Sequence, residues 1–470
     1  MRMRPMLAVA VAAALAGCAL KSPPQREELA KQALPNLKLP ERWAEPGGGV
    51  AGNIAAEPWL AGFRDPQLDA LVREAVANNP DLQVAAARVE QAAGFVKSAG
   101  ATLYPQVNLL ARGGGALSGD SSGLEGAGIT ANWELDVWGR VRAGRASASV
   151  QYASAELDAE YARQSLAALV AKSWFLASEA RLQKANAEEM AGASEKQLGL
   201  ANDRLRVGRG DEYDVALARA NLATFRDSVV NLELAYRQAL RALEALAGRY
   251  PAAALAVPPQ LAALPGPIPV GMPSELLERR PDVVAAERRV AAAFYRVEEA
   301  KAARLPRISL TAAVTSITSE LFVLKQRDNP VWSAGASLAA PLYLGGQLQA
   351  QVEIRTAEQK QALAEYARVG SRAFGEVENA LSTAFALAER EAILRDAVVD
   401  NGRALQLANV RFRIGSGDLR AVQQQSLALH AARTALLRVQ AERLVQRVNL
   451  HLALGGSFQT RPPPVVGAVR

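Results

Sequence analysis

One cysteine, two histidines and five methionines in 470 residues leave little for redox or metal chemistry. A single cysteine, Cys18, cannot close an internal disulfide. His430 and His451 form no ligand cluster, and methionine is too sparse for a relay of soft metal ions. Aromatic residues make up 5% of the chain, and acidic and basic residues are interleaved under a net charge of +7. There is no basic stripe with stacking aromatics, which makes nucleic acid a poor fit as a partner. No run of about eighteen apolar residues follows the N-terminal segment, so no transmembrane helix is expected after it. Gly113-Gly114-Gly115 has no Lys-Ser or Lys-Thr behind it and does not read as a phosphate cradle. Neither a Gly-x-Ser-x-Gly elbow nor a zinc motif occurs. No catalytic residue, metal site or cofactor is expected.

What is present starts with an address. Arg2 and Arg4 precede an apolar run from Met6 to Ala16, too short to span a membrane, and Leu15-Ala16-Gly17-Cys18 closes it. Residues 1–17 read as a signal peptide. Cys18 is either the lipidated first residue of a mature lipoprotein or a stray cysteine; the small residues before it favour the lipobox. A covalent lipid on Cys18 is then expected. Residues 18–56, rich in Pro, Gly and polar residues, read as an extended arm.

The rest is written twice. Asn79-Pro80-Asp81 opens a helical run, and Arg280-Pro281-Asp282 opens another about two hundred residues later. Arg88-Val89 answers to Arg289-Val290, and Tyr104-Pro105 to Leu305-Pro306. Residues 202–211 match residues 409–418, and the copies end in Leu246-Ala247-Gly248 and Leu454-Gly455-Gly456. One unit spans 57–250, the other 274–456, with a Pro-rich linker at 251–273 and a tail at 457–470. Asp65-Pro66 and Asn79-Pro80 suit helix starts. Period-2 alternation predicts strands at about 104–118, 126–139, 306–319 and 331–345. In the second, Ile129, Ala131, Trp133, Leu135 and Val137 oppose Thr130, Asn132, Glu134 and Asp136.

Each pair of strands is followed by two long helices, about 140–207 and 211–247, then 347–414 and 418–454. Leu166, Leu169, Ser173, Leu176 and Ala180 fall at heptad spacing and predict a coiled-coil seam. Short turns between the helices imply antiparallel hairpins. Four amphipathic strands cannot close a barrel, for which about eight are needed. Several subunits pooling strands would close one, with Glu134 and Asp136 on a wet lumen and Trp133, Trp138, Trp332 and Tyr343 near the strand ends. A half-buried soluble sheet fits the alternation equally well.

Several motifs, in order, carry a family resemblance. Leu276-Leu277-Glu278-Arg279-Arg280-Pro281-Asp282-Val283-Val284-Ala285-Ala286-Glu287 resembles the signature of the TolC-type outer membrane efflux proteins, in their OprM-like (NodT-type) lipoprotein branch. Asp65 to Leu71, Asn79 to Leu82, Trp133 to Arg140 and Pro341 to Gly346 match in kind and order, so the resemblance covers nearly the whole mature chain. It implies a mixed α+β membrane protein: a homotrimer whose subunits each give four strands to one twelve-stranded β-barrel, continued by a long α-helical periplasmic barrel. It also implies an outer-membrane location, a periplasmic adaptor and an inner-membrane pump, often of the resistance-nodulation-division class. The implied function is a passive exit duct for small toxic compounds. Two alternatives remain: a duct for an ATP-driven protein or peptide exporter, and a lipid-anchored coiled-coil interaction protein without a pore.

By the same resemblance, Arg206-Val207-Gly208 and Arg413-Ile414-Gly415 are docking positions for the adaptor; the glycines also suffice simply to end the helices. Family members often carry a ring of Asp just past the second turn. Gln423 stands there in this chain. Asp211, Asp214, Asp418 and Arg420 are the other aperture candidates, and an Asp near a helix start equally serves the helix dipole.

Overall fold

The computed structural model describes residues 20–37, 40–44, 49–50, 59–112, 125–318 and 331–456. The signal segment with Cys18, the Gly113–Gly115 run and the tail lie outside them. In chain order the described residues form α1 (Arg26–Ala33), β1 (Gly49–Val50), α2 (Pro66–Asn78), α3 (Pro80–Ala101), β2 (Gln106–Arg112), β3 (Glu125–Leu135), α4 (Arg140–Arg206), α5 (Glu212–Leu246), β4 (Ile268–Pro269), α6 (Leu276–Arg279), α7 (Pro281–Ala302), β5 (Arg307–Thr318), β6 (Val331–Ala339), α8 (Gln347–Arg413) and α9 (Leu419–Ala453). The order helix, two strands, helix, helix occurs twice, and its helices have 22, 67 and 35 residues each time. No described helix is long and apolar enough to cross a membrane.

The chain divides into two compact units. The first comprises Met1–Leu37, Ala86–Asp158 and Asp282–Val369. It holds a four-stranded antiparallel sheet in the order β2-β3-β5-β6. Its helices approach closely through small side chains: Ala143, Ala285, Ala286 and Ala292 are buried. Ser147 Oγ donates to Ala292 O at 3.0 Å, and Ser154 Oγ to Ala285 O at 3.1 Å. These bonds satisfy hydroxyls that such tight packing strips of water.

The second unit, Lys38–Ala85, Ala159–Pro281 and Gly370–Arg470, holds the main apolar core. Trp59, Phe63, Leu68, Val72, Trp174, Phe175, Leu243 and Val448 meet there. Asp65 starts α2 by accepting from the N–H groups of Gln67 and Leu68, while its other oxygen takes the indole N–H of Trp174 at 2.8 Å. Of the heptad positions, Leu166 lies buried in this core, while Leu169 and Leu176 are exposed in the single chain; Ala167, Val170, Ala171, Trp174 and Ala177 are buried with it. Trp174 and Phe175 rotate the buried stripe, because two large rings displace more water than two leucines.

Asn79 and Arg280 occupy matching positions in the two copies, and both hold the end of a 35-residue helix. Asn79 Oδ1 accepts from Asp81 N at 2.9 Å, and its Nδ2 donates to Leu246 O at 3.0 Å. Arg280, fully buried, donates to Ala453 O at 3.3 Å and to Glu376 at 2.5 Å. Both long helices then stop at a glycine with positive φ, Gly248 (74°) and Gly455 (72°).

Candidate functional site

The first functional surface is the sheet. Residues directly opposite each other share a face. The register pairs Val107 with Ala131 and Leu109 with Ile129. It pairs Ile129 with Val314, Ala131 with Ala312 and Trp133 with Leu310. It continues through Val314 with Trp332, Ala312 with Ala334 and Ile308 with Leu338. All these apolar alternates fall on one face. The opposite face carries Asn108, Thr130, Asn132, Glu134, Ser309, Thr311, Thr315, Ser333 and Ser337, with Leu110, Ala313, Val331 and Ala339 among its apolar exceptions. β3, β5 and β6 are 11, 12 and 9 residues long, near the roughly 9–11 residues that a tilted strand needs to cross a bilayer. Val107, Leu109, Ile129, Trp332 and Leu338 are exposed, and every residue of β6 is exposed. Among the described residues neither β2 nor β6 has a second neighbour, so the sheet has two open edges.

The sheet is anchored where strand turns to helix. Trp133 donates its indole N–H to Leu103 O at 2.9 Å, and Trp138 donates to Pro306 O at 2.6 Å. Tyr104 and Tyr343 are exposed at the same end, with Trp332 at the other end of β6. Glu134 lies on the polar face, but both its oxygens are held by Arg140, at 2.9 and 2.7 Å. Asp136 is corrected from a strand residue to a capping one. It lies beyond Leu135, the last residue of β3, and accepts from Val141 N and Arg142 N, both at 2.9 Å. The first turn of α4 has free N–H groups, and a carboxylate there satisfies two of them.

The second surface lies in the other unit, at the turns α4–α5 and α8–α9. Gly208 and Gly415 have φ of 69° and 79°, the left-handed geometry that reverses a helix sharply. The turns match in their bonds: Arg209 N donates to Arg204 O at 2.8 Å, and Ser416 N to Arg411 O at 3.0 Å. Val207 (65% exposed) and Ile414 (73% exposed) stand just before these glycines. Behind them Ala201, Val215, Ala218, Phe412, Leu419 and Val422 form a small apolar cluster. Two cations tie the turns together. The Arg204 guanidinium lies 4.4 Å over the Phe412 ring and donates to Phe412 O at 3.3 Å. That of Arg420 lies 5.5 Å over Tyr213 and donates to its hydroxyl at 3.2 Å.

Asp211 and Asp418 are N-caps: their carboxylates accept from Asp214 N at 2.8 Å and Ala421 N at 2.7 Å. Asp214 is half-buried, and burial first, then the Asp211 charge, pushes its carboxyl above the usual range. Arg206 pairs with Asp203, and Arg413 is exposed beside Ile414. Gln423 is a correction. It is 4% exposed and sits on the buried stripe of α9 with Leu419, Val422 and Ser426, so it does not line an aperture. The i, i+3, i+4, i+7 spacing from Leu419 turns it inward.

Sequence reasoning missed Asn79 and Arg280 as locks on helix ends. It also missed a run of buried polar residues on α4 and α9, among them Gln183, Asn186 and Ser426, with His430 half-buried beside them. Their helical spacing on the apolar stripe was the available signal. It missed as well that Trp133 and Trp138 donate to backbone. Among the described residues no group of His, Cys, Asp and Glu is arranged to hold a metal ion.

A two-faced open sheet with aromatic ends, joined in sequence to long paired helices, defines an outer-membrane channel class. This chain belongs to the outer membrane efflux protein family, whose profile matches residues 71–249 and 272–456. The pyoverdine export outer membrane protein OpmQ of Pseudomonas putida is 32% identical over 444 residues, covering 90% of this chain and 93% of the relative. The cation efflux system protein CusC of Escherichia coli O6:H1 is 28% identical over 464 residues, covering 97% and 99%. The solved outer-membrane channel OprN matches with a TM-score of 0.80 at 28% identity, covering 90% of this chain and 99% of that one. The protein is thus of the TolC type and is located in the outer membrane.

Proposed function

We propose that this protein is the exit duct of a tripartite efflux system. In this reading three copies pool their strands into one twelve-stranded barrel, and the paired helices form a periplasmic tunnel. The observation that carries it is the exposed, predominantly apolar face shared by all four strands, with Ser316 as a polar exception, backed by a mainly polar face. An open four-stranded sheet of this kind leaves its edges unpaired and its apolar face in water. Edge-to-edge closure of three copies in a bilayer relieves both, and the Ser, Thr and Asn face then lines a wet lumen. The duct does no chemistry; an inner-membrane pump, in this reading of the resistance-nodulation-division type, supplies the energy. Val207 and Ile414, exposed at the turns, are the contacts for a periplasmic adaptor.

Purified protein in planar bilayers should give discrete conductance steps; silence at every voltage overturns the duct and leaves a lipid-anchored interaction protein. In-cell crosslinking from Val207 and Ile414 tests the partner. An adaptor of a resistance-nodulation-division pump supports efflux of small compounds, and an adaptor of an ATP-driven exporter shifts the cargo to protein or peptide. The relatives' names point to different cargoes, pyoverdine and cations, so the cargo is not carried over. The scarcity of Met and His argues against soft metal ions as the main one. Cys18 is proposed as the site of the lipid anchor. Cys18→Ala should abolish incorporation of radiolabelled palmitate; label retained in the variant would sink that assignment.

A further inference from the structure

The repeat leaves one helix seam of the first unit uncovered. α3 and α7 have the same length, and so do α4 and α8, so each residue of one copy has a fixed counterpart in the other. Pro80 answers to Pro281, and Arg140 to Gln347. In the first copy, the long helix is covered by the short helix of the second. α7 lies on the face of α4 that carries Ala143, Ser147 and Ser154, all buried. The bonds of Ser147 to Ala292 O and of Ser154 to Ala285 O fix the register. Arg289 of α7 closes the seam with an ion pair to Asp158 of α4. Among the described residues no third copy does the same for α8. The counterparts of Ala143, Ser147 and Ser154 are Ala350, Ile354 and Gln361, and all three are exposed, Ile354 by 49%. α3, the counterpart of α7, has no buried residue. The charges of the seam are nevertheless kept: Arg88 stands at the position of Arg289, and Glu365 at that of Asp158.

Repeats that stack bury their faces against the next repeat, and a chain that runs out of repeats keeps one uncovered face at each end. When the two leftover faces are complementary, copies join head to tail and close a ring. We propose that α3 of one copy packs on α8 of its neighbour in the register of α7 on α4, with Arg88 against Glu365 of the neighbouring copy. This rests on the reading of several copies as one assembly, and names the helices, the register and the ion pair that join them. Within one chain Glu365 is held by Arg368 at 2.9 Å. Arg88 joins as a further donor, since a carboxylate accepts at both oxygens. The seam between copies differs from its template in packing. Ile354 and Gln361 replace two serines, and Gln91 stands where Ala292 does. The helices therefore stand further apart, and aliphatic contact replaces the two hydroxyl bonds.

Disulfide trapping between two differently tagged full-length chains tests it. One chain carries Gln91→Cys and the other Ile354→Cys, so a disulfide between tags forms only between copies. Oxidised membranes should give this product in high yield. Moving the second cysteine two turns along α8, as Gln361→Cys, places it about 10 Å out of register and should give at least about fivefold less. No product from either pair overturns the seam, and more product from Gln361→Cys overturns the register. If the cysteine variants do not assemble, charge reversal replaces them. Arg88→Glu should lower the yield of assembled protein severalfold, and adding Glu365→Arg in the same chain should restore it. Failure of that rescue overturns the ion pair. Conductance of the same samples keeps the two readings apart. Trapped product without conductance steps supports the seam and overturns the duct; steps without product from either pair overturn the seam and leave the duct standing.

Discussion

His451 shows how one residue is set by opposing terms. It lies in the last turn of α9, where the helix dipole favours a positive imidazolium. Burial overrides this. The ring stacks on Trp59 at 5.8 Å, and burial first, then Arg447, lowers its pKa from 6.5 to about 3. The folded state therefore takes up a proton less readily than the unfolded one. Stability from this residue is complete above pH 6.5 and is lost as pH falls toward 3. The slope is at most about 1.4 kcal/mol per pH unit. His430 is shifted the same way by burial and Arg433. The chain has only two histidines, though carboxyls that burial raises, such as Glu179 and Glu299, add to the acid side of the profile. His451→Phe should keep the ring stack and flatten the fall in unfolding temperature between pH 6.5 and 4.5. An unchanged pH profile would assign that fall to other groups.

At the scale of the element, the glycines that end the long helices are not interchangeable with those that turn at the tips. A Cβ on Gly455 would meet the Arg279 backbone at 3.1 Å, while a Cβ on Gly415 would meet nothing within 4 Å. Both have positive φ, so Gly→Ala strains each by roughly 1–2 kcal/mol. Gly455→Ala adds a clash with fixed backbone and should cost clearly more in denaturant midpoint than Gly415→Ala. Equal losses would mean that the Arg279 segment yields. The positions of such ends were legible in sequence, because Asp-Pro, Asn-Pro and Gly act locally on the chain. Strand alternation was legible for the same reason. The facing of Gln423 was not: it depends on how α9 is rotated against α4, which Leu419 and Val422 decide by packing. Nor was the role of Asp136, since in extended sequence a cap and a strand residue look alike until the strand's last pair is known. The buried stripe of α4 was legible only in part: Leu166 lies on it, but Trp174 and Phe175 rather than Leu169 or Leu176 continue it.

At the scale of the whole molecule, the chain's sheet demands an environment that it cannot supply alone. Adjacent residues of β5, a central strand, make the sharpest test. Ala312 pairs with Ala131 and Ala334 on the apolar face; Thr311 pairs with Asn132 and Gly335 on the polar one. If the apolar face meets lipid, Ala312→Arg places a guanidinium in hydrocarbon at about 2–4 kcal/mol near the midplane. Three copies would multiply that cost, and assembled protein in the outer-membrane fraction should fall steeply. Thr311→Arg puts the same charge into water. It should leave assembly largely intact and instead shift single-channel conductance and ion selectivity, because three cations then share a lumen. The neighbours differ by one residue and by the side of the sheet, so strand propensity and backbone position are held nearly constant. If both variants assemble equally well, the apolar face is not in lipid, and a soluble sheet covered by another protein surface becomes the better account. If Thr311→Arg fails and Ala312→Arg assembles, the faces are reversed and the lumen is the apolar side.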